Sequence, residues 1–152
     1  MKVVVQRVSA ASVAVAGHAR GRIERGLVVF VGVERGDGPS DARYIGDKIG
    51  DLRVFEDPED PAKHLNCSLR DVGGAVLVVS EFTLAADCRK GRRPSFDQAE
   101  APERAEPLVE LVIQTLRETG ARVETGEFRA TMQVSLVNEG PVTLLLDSRK
   151  RF

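Results

Sequence analysis

The strongest constraint on this chain is where its valines lie. There are 21 of them, gathered in short runs rather than spread along a helical stripe. Val is stiff at χ1 and suits the pleated surface of a sheet. Leu27-Val28-Val29-Phe30-Val31-Gly32-Val33 is apolar throughout, the pattern of a strand buried on both faces. Val3 to Val8 and Ser12 to Val15 read as two strands, the second with the alternation of one buried face. His18 to Ile23 reads as a short polar strand, broken at Gly26, and Ala75 to Phe82 as a second apolar strand. Arg122 to Thr125, Met132 to Val137 and Val142 to Leu146 read as three closing strands.

Two stretches carry helical spacing. Ser40 is the expected N-cap of the first, in which Ala42, Ile45, Ile49 and Leu52 recur on one face. Pro102 opens the second, where Leu108, Leu111, Val112, Thr115 and Leu116 form one stripe and Gly120 is the expected C′ residue. Gly36 to Pro39 reads as a loop. Positions 56–74 have no period and read as a long loop with one short strand at most, and 85–100 as a polar, basic loop. Seven or eight strands and two helices imply an α/β fold: curved sheets forming a barrel-like core, with two main flanking helices. No linker or repeat divides the chain, so residues 1–152 form a single domain.

Composition narrows the function. With 42% hydrophobic residues the chain is too apolar to be disordered. Its longest apolar runs are too short to cross a membrane, and Met1-Lys2-Val3-Val4-Val5-Gln6-Arg7 is not a signal peptide, so a soluble cytoplasmic protein is expected. The net charge of −1 announces no nucleic-acid binder. Locally, Arg89, Lys90, Arg92 and Arg93 make a dense basic loop, and Arg149, Lys150 and Arg151 a basic tail. Charge alone reads these as a solvated loop and a frayed terminus. Cys67 and Cys88 form no C-x-x-C pair, and His64-x-x-Cys67 is a weak signal. Both cysteines read as reduced structural thiols, and neither a metal nor a cofactor is expected.

Two segments stand out chemically: Ser80-Glu81-Phe82-Thr83-Leu84 at the end of a buried strand, and Asn138-Glu139-Gly140-Pro141-Val142-Thr143 between two strands. Each alone reads as a turn or cap. Along an ideal strand Ser80 and Thr83 point to opposite faces, so they share a site only if the strand bends. No histidine lies near either segment, which leaves only His18 or His64 for a Ser-His pair. Gly-Pro is a place where a cis peptide has a use.

In these residues the chain resembles the D-aminoacyl-tRNA deacylases. The resemblance runs through Gln6-Arg7-Val8 and Leu77-Val78-Val79-Ser80-Glu81-Phe82-Thr83-Leu84-Ala85-Ala86-Asp87. It continues through Gly91-Arg92-Arg93-Pro94-Ser95-Phe96 and Met132-Gln133-Val134-Ser135-Leu136-Val137-Asn138-Glu139-Gly140-Pro141-Val142-Thr143. It implies hydrolysis of the ester joining a D-amino acid to the 3′-terminal ribose of tRNA, acceptance of glycine and rejection of L-amino acids. It also implies a homodimer with active sites at the interface, which binds the aminoacyl-tRNA 3′ end without a membrane.

The site residues follow from the same resemblance. Ser80, Phe82 and Thr83 are the expected catalytic motif. Gly140 and Pro141 are the expected chirality filter, joined by a cis peptide and reaching into the partner's pocket. Arg7 braces that filter, and Asn138 and Met132 belong to the selectivity set. Arg89, Lys90, Arg92, Arg93 and Phe96 are the expected tRNA contacts, the arginines and lysine on phosphates and Phe96 beside the terminal adenine. Two mechanisms stay open. Thr83 attacks as a nucleophile, for which no base is visible in the sequence. Alternatively, backbone N–H groups near Phe82 and Thr83 form an oxyanion hole while the ribose 2′-hydroxyl helps activate water, the reading preferred here. Glu81 departs from the family's usual Gln, and an ionised carboxylate accepts but does not donate. The competing readings are a catalytically silent tRNA-binding module and a thiol enzyme using Cys67 or Cys88.

Overall fold

The computed structural model describes residues 1–60 and 62–152; position 61, within the expected loop, lies outside them. Six strands form one mixed sheet: β1 (Lys2–Val15), β2 (His18–Ile23), β3 (Gly26–Gly32), β4 (Ala75–Ser80), β5 (Arg122–Thr125) and β6 (Met132–Asp147). The path runs β2-β1-β3-β4-β5, with β6 paired along the other edge of β1. β3, β4 and β5 are parallel, and the remaining pairs are antiparallel. Helices α1 (Pro39–Asp51) and α2 (Pro102–Glu118) supply the crossovers that parallel strands need. The sheet curls until β2 approaches β5, where a Cβ at Gly21 would stand 2.9 Å from the Thr125 carbonyl oxygen. This is the barrel-like α/β fold expected from the valine runs.

The strand count is lower than expected for one physical reason. Val3–Val8 and Ser12–Val15 are one strand, as are Met132–Val137 and Val142–Leu146. Each long strand crosses an irregularity: the pairing shifts register between Gln6 and Val8 and again between Val8 and Ala10. A bulge inserts residues without ending the strand and flips which face the following side chains occupy. Val3 and Val5 therefore pack into the core beneath α1 and α2, whereas Val8, Ala11 and Val13 pack into a second core inside the curl. β6 changes core in the same way. Leu144 and Leu146 lie against the first cluster, and Val134 and Leu136 against the second.

β3 is buried on both faces, as its unbroken apolar run requires. Leu27 faces the helices and Val28 the curl, both with no exposure. Truncating either to Ala costs roughly 2–5 kcal/mol. The helices meet where Gly46 on α1 lies against buried Thr115 on α2, whose hydroxyl donates to the Leu111 carbonyl at 2.8 Å. Ser40 is not the N-cap. Gly38 is, because Pro39 occupies the first turn and the Asp41 carboxylate accepts the Gly38 N–H at 2.9 Å. The described residues of 56–74 hold isolated bridges but no named strand. Among the described residues, no helix is long and apolar enough to cross a membrane.

The basic tail is not frayed. The Arg149 guanidinium donates to the Arg35 carbonyl at 2.6 Å and to Asp37 Oδ1 at 2.7 Å. Arg151 pairs with Glu34 and, at 2.5 Å, with Asp147 Oδ2. The Met1 ammonium meets Asp37 Oδ2 at 2.8 Å, and Lys2 Nζ meets Glu34 at 3.4 Å. Burial alone would raise the Asp147 carboxyl, but Arg151 and the Arg149 amide hold it down at about 2. Glu34 is likewise pulled below its usual value against burial, chiefly by Arg151 and Lys2.

Candidate active site

β4 ends where the chemistry begins. The Glu81 N–H completes the ladder by donating to the Val31 carbonyl at 2.8 Å, and the chain then turns into a short 3₁₀ helix over Phe82–Ala85. This is the bend that Ser80 and Thr83 need if they are to lie near one another. Ser80, Glu81 and Phe82 line a cleft of about 1020 Å³. Val33, Arg35 and Asp37 form one wall, Ala99, Glu100 and Arg104 another, and Arg129 and Met132 a third. Met132 thus joins Ser80 and Phe82 in one cavity.

Glu81 answers the question its substitution raised. Its carboxylate accepts from the Thr83 hydroxyl, and from the Thr83 amide at 3.4 Å. It therefore caps the 3₁₀ helix and holds the Thr83 side chain. Thr83 itself, expected in the catalytic motif, does not line the cleft. The expected pair of oxyanion donors is reduced, because the Thr83 N–H is already engaged. The Phe82 N–H has no acceptor among the described residues, and Phe82 lines the cleft.

The Phe82 ring is 59% exposed and meets the Phe96 ring edge-on, with centroids 5.2 Å apart. The basic loop lies alongside, but its charges differ in availability. Arg89 folds back onto Asp87 in a bidentate pair at 2.6 and 2.9 Å, which holds the Asp87 carboxyl well below its usual range. Lys90, Arg92 and Arg93 are exposed.

Gly140 and Pro141 do not line this cleft. They lie where β6 leaves its ladder: Asn138 pairs with Val8 and Thr143 with Gln6, so four residues on β6 face Arg7 alone. Arg7 is 5% exposed and bridges two backbones, donating to the Val54 carbonyl at 2.6 Å and the Glu139 carbonyl at 3.2 Å. The Glu139 carboxylate adds an ion pair to it at 3.4 Å. Asn138 closes the neck of the bulge, donating to the Arg7 carbonyl at 2.9 Å and the Val142 carbonyl at 3.1 Å. Arg7 thus ties this segment to the backbone at Val54.

The expected cis peptide is corrected. No peptide bond among the described residues is cis, so the Gly140–Pro141 bond is trans. The trans isomer is the default for X-Pro, and the change of direction is carried instead by Gly140 at φ +118.

Among the described residues no group of three or more His, Cys, Asp or Glu is placed to hold a metal. Neither Cys67 nor Cys88 lines the cleft. Burial, with Asp57 and Asp71 nearby, pushes the Cys67 thiol up, the reverse of activation.

The family profile described as D-Tyr-tRNA(Tyr) deacylase matches residues 4–147. A D-aminoacyl-tRNA deacylase from Anaeromyxobacter dehalogenans is 57% identical over 152 residues, covering all of both chains. One from Koribacter versatilis is 56% identical over the same full span. Among solved structures, the c-Myc DNA unwinding element binding protein superposes with TM-score 0.89 at 40% identity, covering 97% of this chain and 98% of that one. A probable eukaryotic D-amino acid tRNA deacylase superposes with TM-score 0.83 at 18% identity, covering 95% and 97%, a likeness of fold. A match over nearly the whole length establishes that the chain belongs to the D-Tyr-tRNA(Tyr) deacylase family.

Proposed function

We propose that this chain hydrolyses the ester of D-aminoacyl-tRNA, releasing the free D-amino acid and tRNA, and that it leaves L-aminoacyl-tRNA intact. The observation that carries the reading is the Phe82 N–H, left without an acceptor at the mouth of the cleft beside Ser80. As water adds to the ester carbonyl, that oxygen gains negative charge, and an unengaged backbone N–H beside it lowers the barrier. The C–O bond to the ribose then breaks and the 3′-oxygen leaves with a proton. The neighbouring 2′-hydroxyl helps activate the water, and Phe96 with Phe82 offers an aromatic edge for the terminal adenine. Lys90, Arg92 and Arg93 contact phosphates without reading sequence.

The chirality filter is the Gly140–Pro141 bulge. Its stiffness comes from Arg7 and Asn138, which tie it to β1 and to the segment at Val54. A rigid backbone wall that admits a hydrogen and collides with a β-carbon rejects L-residues and accepts glycine; discrimination of about 10⁴ requires roughly 5.5 kcal/mol. Since the bulge does not line its own protomer's cleft, it acts on the cleft of a second copy. The long edge strand β6 supports that arrangement, with Val137 60% exposed on one face and Leu145 61% exposed on the other. Cytoplasmic tRNA is the substrate pool this assigns.

Incubation with matched D- and L-aminoacyl-tRNA tests the reading. Release of the D-amino acid alone is expected, and equal hydrolysis of both would overturn it. tRNA binding without turnover would favour the silent module. Sedimentation should give a dimer that Leu145→Arg dissociates, with loss of activity.

A further inference from the structure

We propose that Arg35 is a phosphate-binding residue for the tRNA acceptor end, an assignment that rests on the deacylase reading of the cleft. Three arginines line that cleft: Arg35, Arg104 and Arg129. Two of them are neutralised in place. Arg104 pairs with Glu100 at 2.8 Å, and Arg129 with Glu103 at 3.2 Å. The guanidinium of Arg35 has no carboxylate partner among the described residues, and the residue is exposed. The basic loop is a weaker source of fixed charge there than its sequence suggests, because Arg89 is committed to Asp87.

The backbone that carries Arg35 is held on both sides. Its N–H donates to the Gln98 carbonyl at 2.9 Å, and its carbonyl accepts from Arg149 at 2.6 Å. The turn around it is closed by the Asp37 N–H donating to the Glu34 carbonyl at 3.0 Å, and by Asp37 Oδ2 accepting the Glu34 N–H at 2.7 Å. The clamped backbone fixes where the side chain starts, so only the Arg35 side chain itself must order on binding. Its place also fits the substrate. Arg35 lies four residues beyond Val31, the partner of Ser80, a span of at most ~13 Å along an extended chain. That is the scale between an ester on the terminal ribose and the phosphodiesters that precede it. A planar guanidinium suits bidentate contact with those oxygens.

The test compares two substrates in the full-length protein: D-aminoacyl-tRNA, and a D-aminoacyl ester of adenosine that has no phosphate. For Arg35→Met, KM for the tRNA substrate should rise about 10-fold with kcat unchanged, the size of one lost charge-assisted contact. The slope of log affinity for uncharged tRNA against log salt should shrink by roughly 0.7, as for one phosphate on a single strand. Cleavage of the adenosine ester should change by less than about 2-fold. Arg43→Met, which removes the same charge from an exposed position of α1 outside the cleft, should leave the salt slope as it was. An unchanged KM and slope in Arg35→Met, or an equal loss on both substrates, would overturn the assignment. A parent protein that cleaves neither ester would overturn the deacylase reading instead, and the salt slope on uncharged tRNA would still decide Arg35.

Discussion

The Thr83 hydroxyl donates to the Glu81 carboxylate, two residues back along the turn that ends β4. Glu81 lines the cleft and Thr83 does not, so the hydroxyl sits beside a carboxylate at the cleft's edge, while the Phe82 N–H between them stays unengaged. The two candidate mechanisms make different demands on this pair. If the backbone donor and the substrate's 2′-hydroxyl do the chemistry, Thr83→Ala should keep kcat within about 10-fold of the parent. Glu81→Gln, which keeps an oxygen to cap the turn, should do the same. A loss of about 10²-fold or more in both, with the fold intact by circular dichroism, would assign Thr83 as nucleophile and Glu81 as its base. Single-turnover kinetics on D-aminoacyl-tRNA reads the difference.

Arg7→Met should loosen the filter and the fold together. It leaves the Val54 and Glu139 carbonyls without their buried donor. The expected cost is roughly 3 kcal/mol, read by urea unfolding. L-aminoacyl-tRNA hydrolysis should become detectable. Lys at this position should not restore selectivity, because one ammonium does not reproduce the planar fork that spans two backbones.

Gly140→Ala meets two obstacles at once. Its φ of +118 is one that side chains avoid, and the new methyl would run into the Arg7 guanidinium. A loss of about 1–3 kcal/mol is expected, with a lower ratio of D to L hydrolysis. Retained strict D-selectivity in this variant would remove the bulge from the filter.

Acid should release the tail. Asp147 is 5% exposed, and its folded value of about 2 lies below the ordinary 3.8. A depressed carboxyl stabilises fully above its ordinary value, and that stability is lost as pH falls through the folded one. Roughly 2 kcal/mol should therefore disappear between about pH 4 and pH 2. Glu34 adds in the same direction. Melting temperatures against pH should show this limb in the parent, and Asp147→Asn should flatten it while lowering stability near neutrality.

Of the residues expected in the site, Ser80, Phe82 and Met132 line the cleft, whereas Thr83, Gly140, Pro141 and the basic loop lie outside it; the two segments were noticed because each is local. Ser80 to Thr83 and Asn138 to Thr143 are contiguous, and each falls at a strand end or a break that Gly, Pro and polar residues mark. The role of Glu81 was not legible. Whether its carboxylate meets Thr83, an arginine or solvent depends on the turn after Ser80, which alternation along an ideal strand does not predict. Arg35 gave no motif. Its significance comes from what its neighbours do: Arg104 and Arg129 find acids, and Arg35 does not.

By itself the sequence determined the valine strands, the two amphipathic helices and the resemblance to the deacylases, because each is written in spacings of a few residues. Tertiary structure alone decided that β1 and β6 each run unbroken from one core to the other through a bulge, and that Gly140 presses against Arg7 there. It also decided that the basic tail is a clamp, with Arg151 paired to Glu34 across 117 positions of chain. The physical reason is range. Periodicity reports which face of an element is apolar, whereas register, a flip of faces at a bulge and the pairing of distant charges exist only once strands lie side by side.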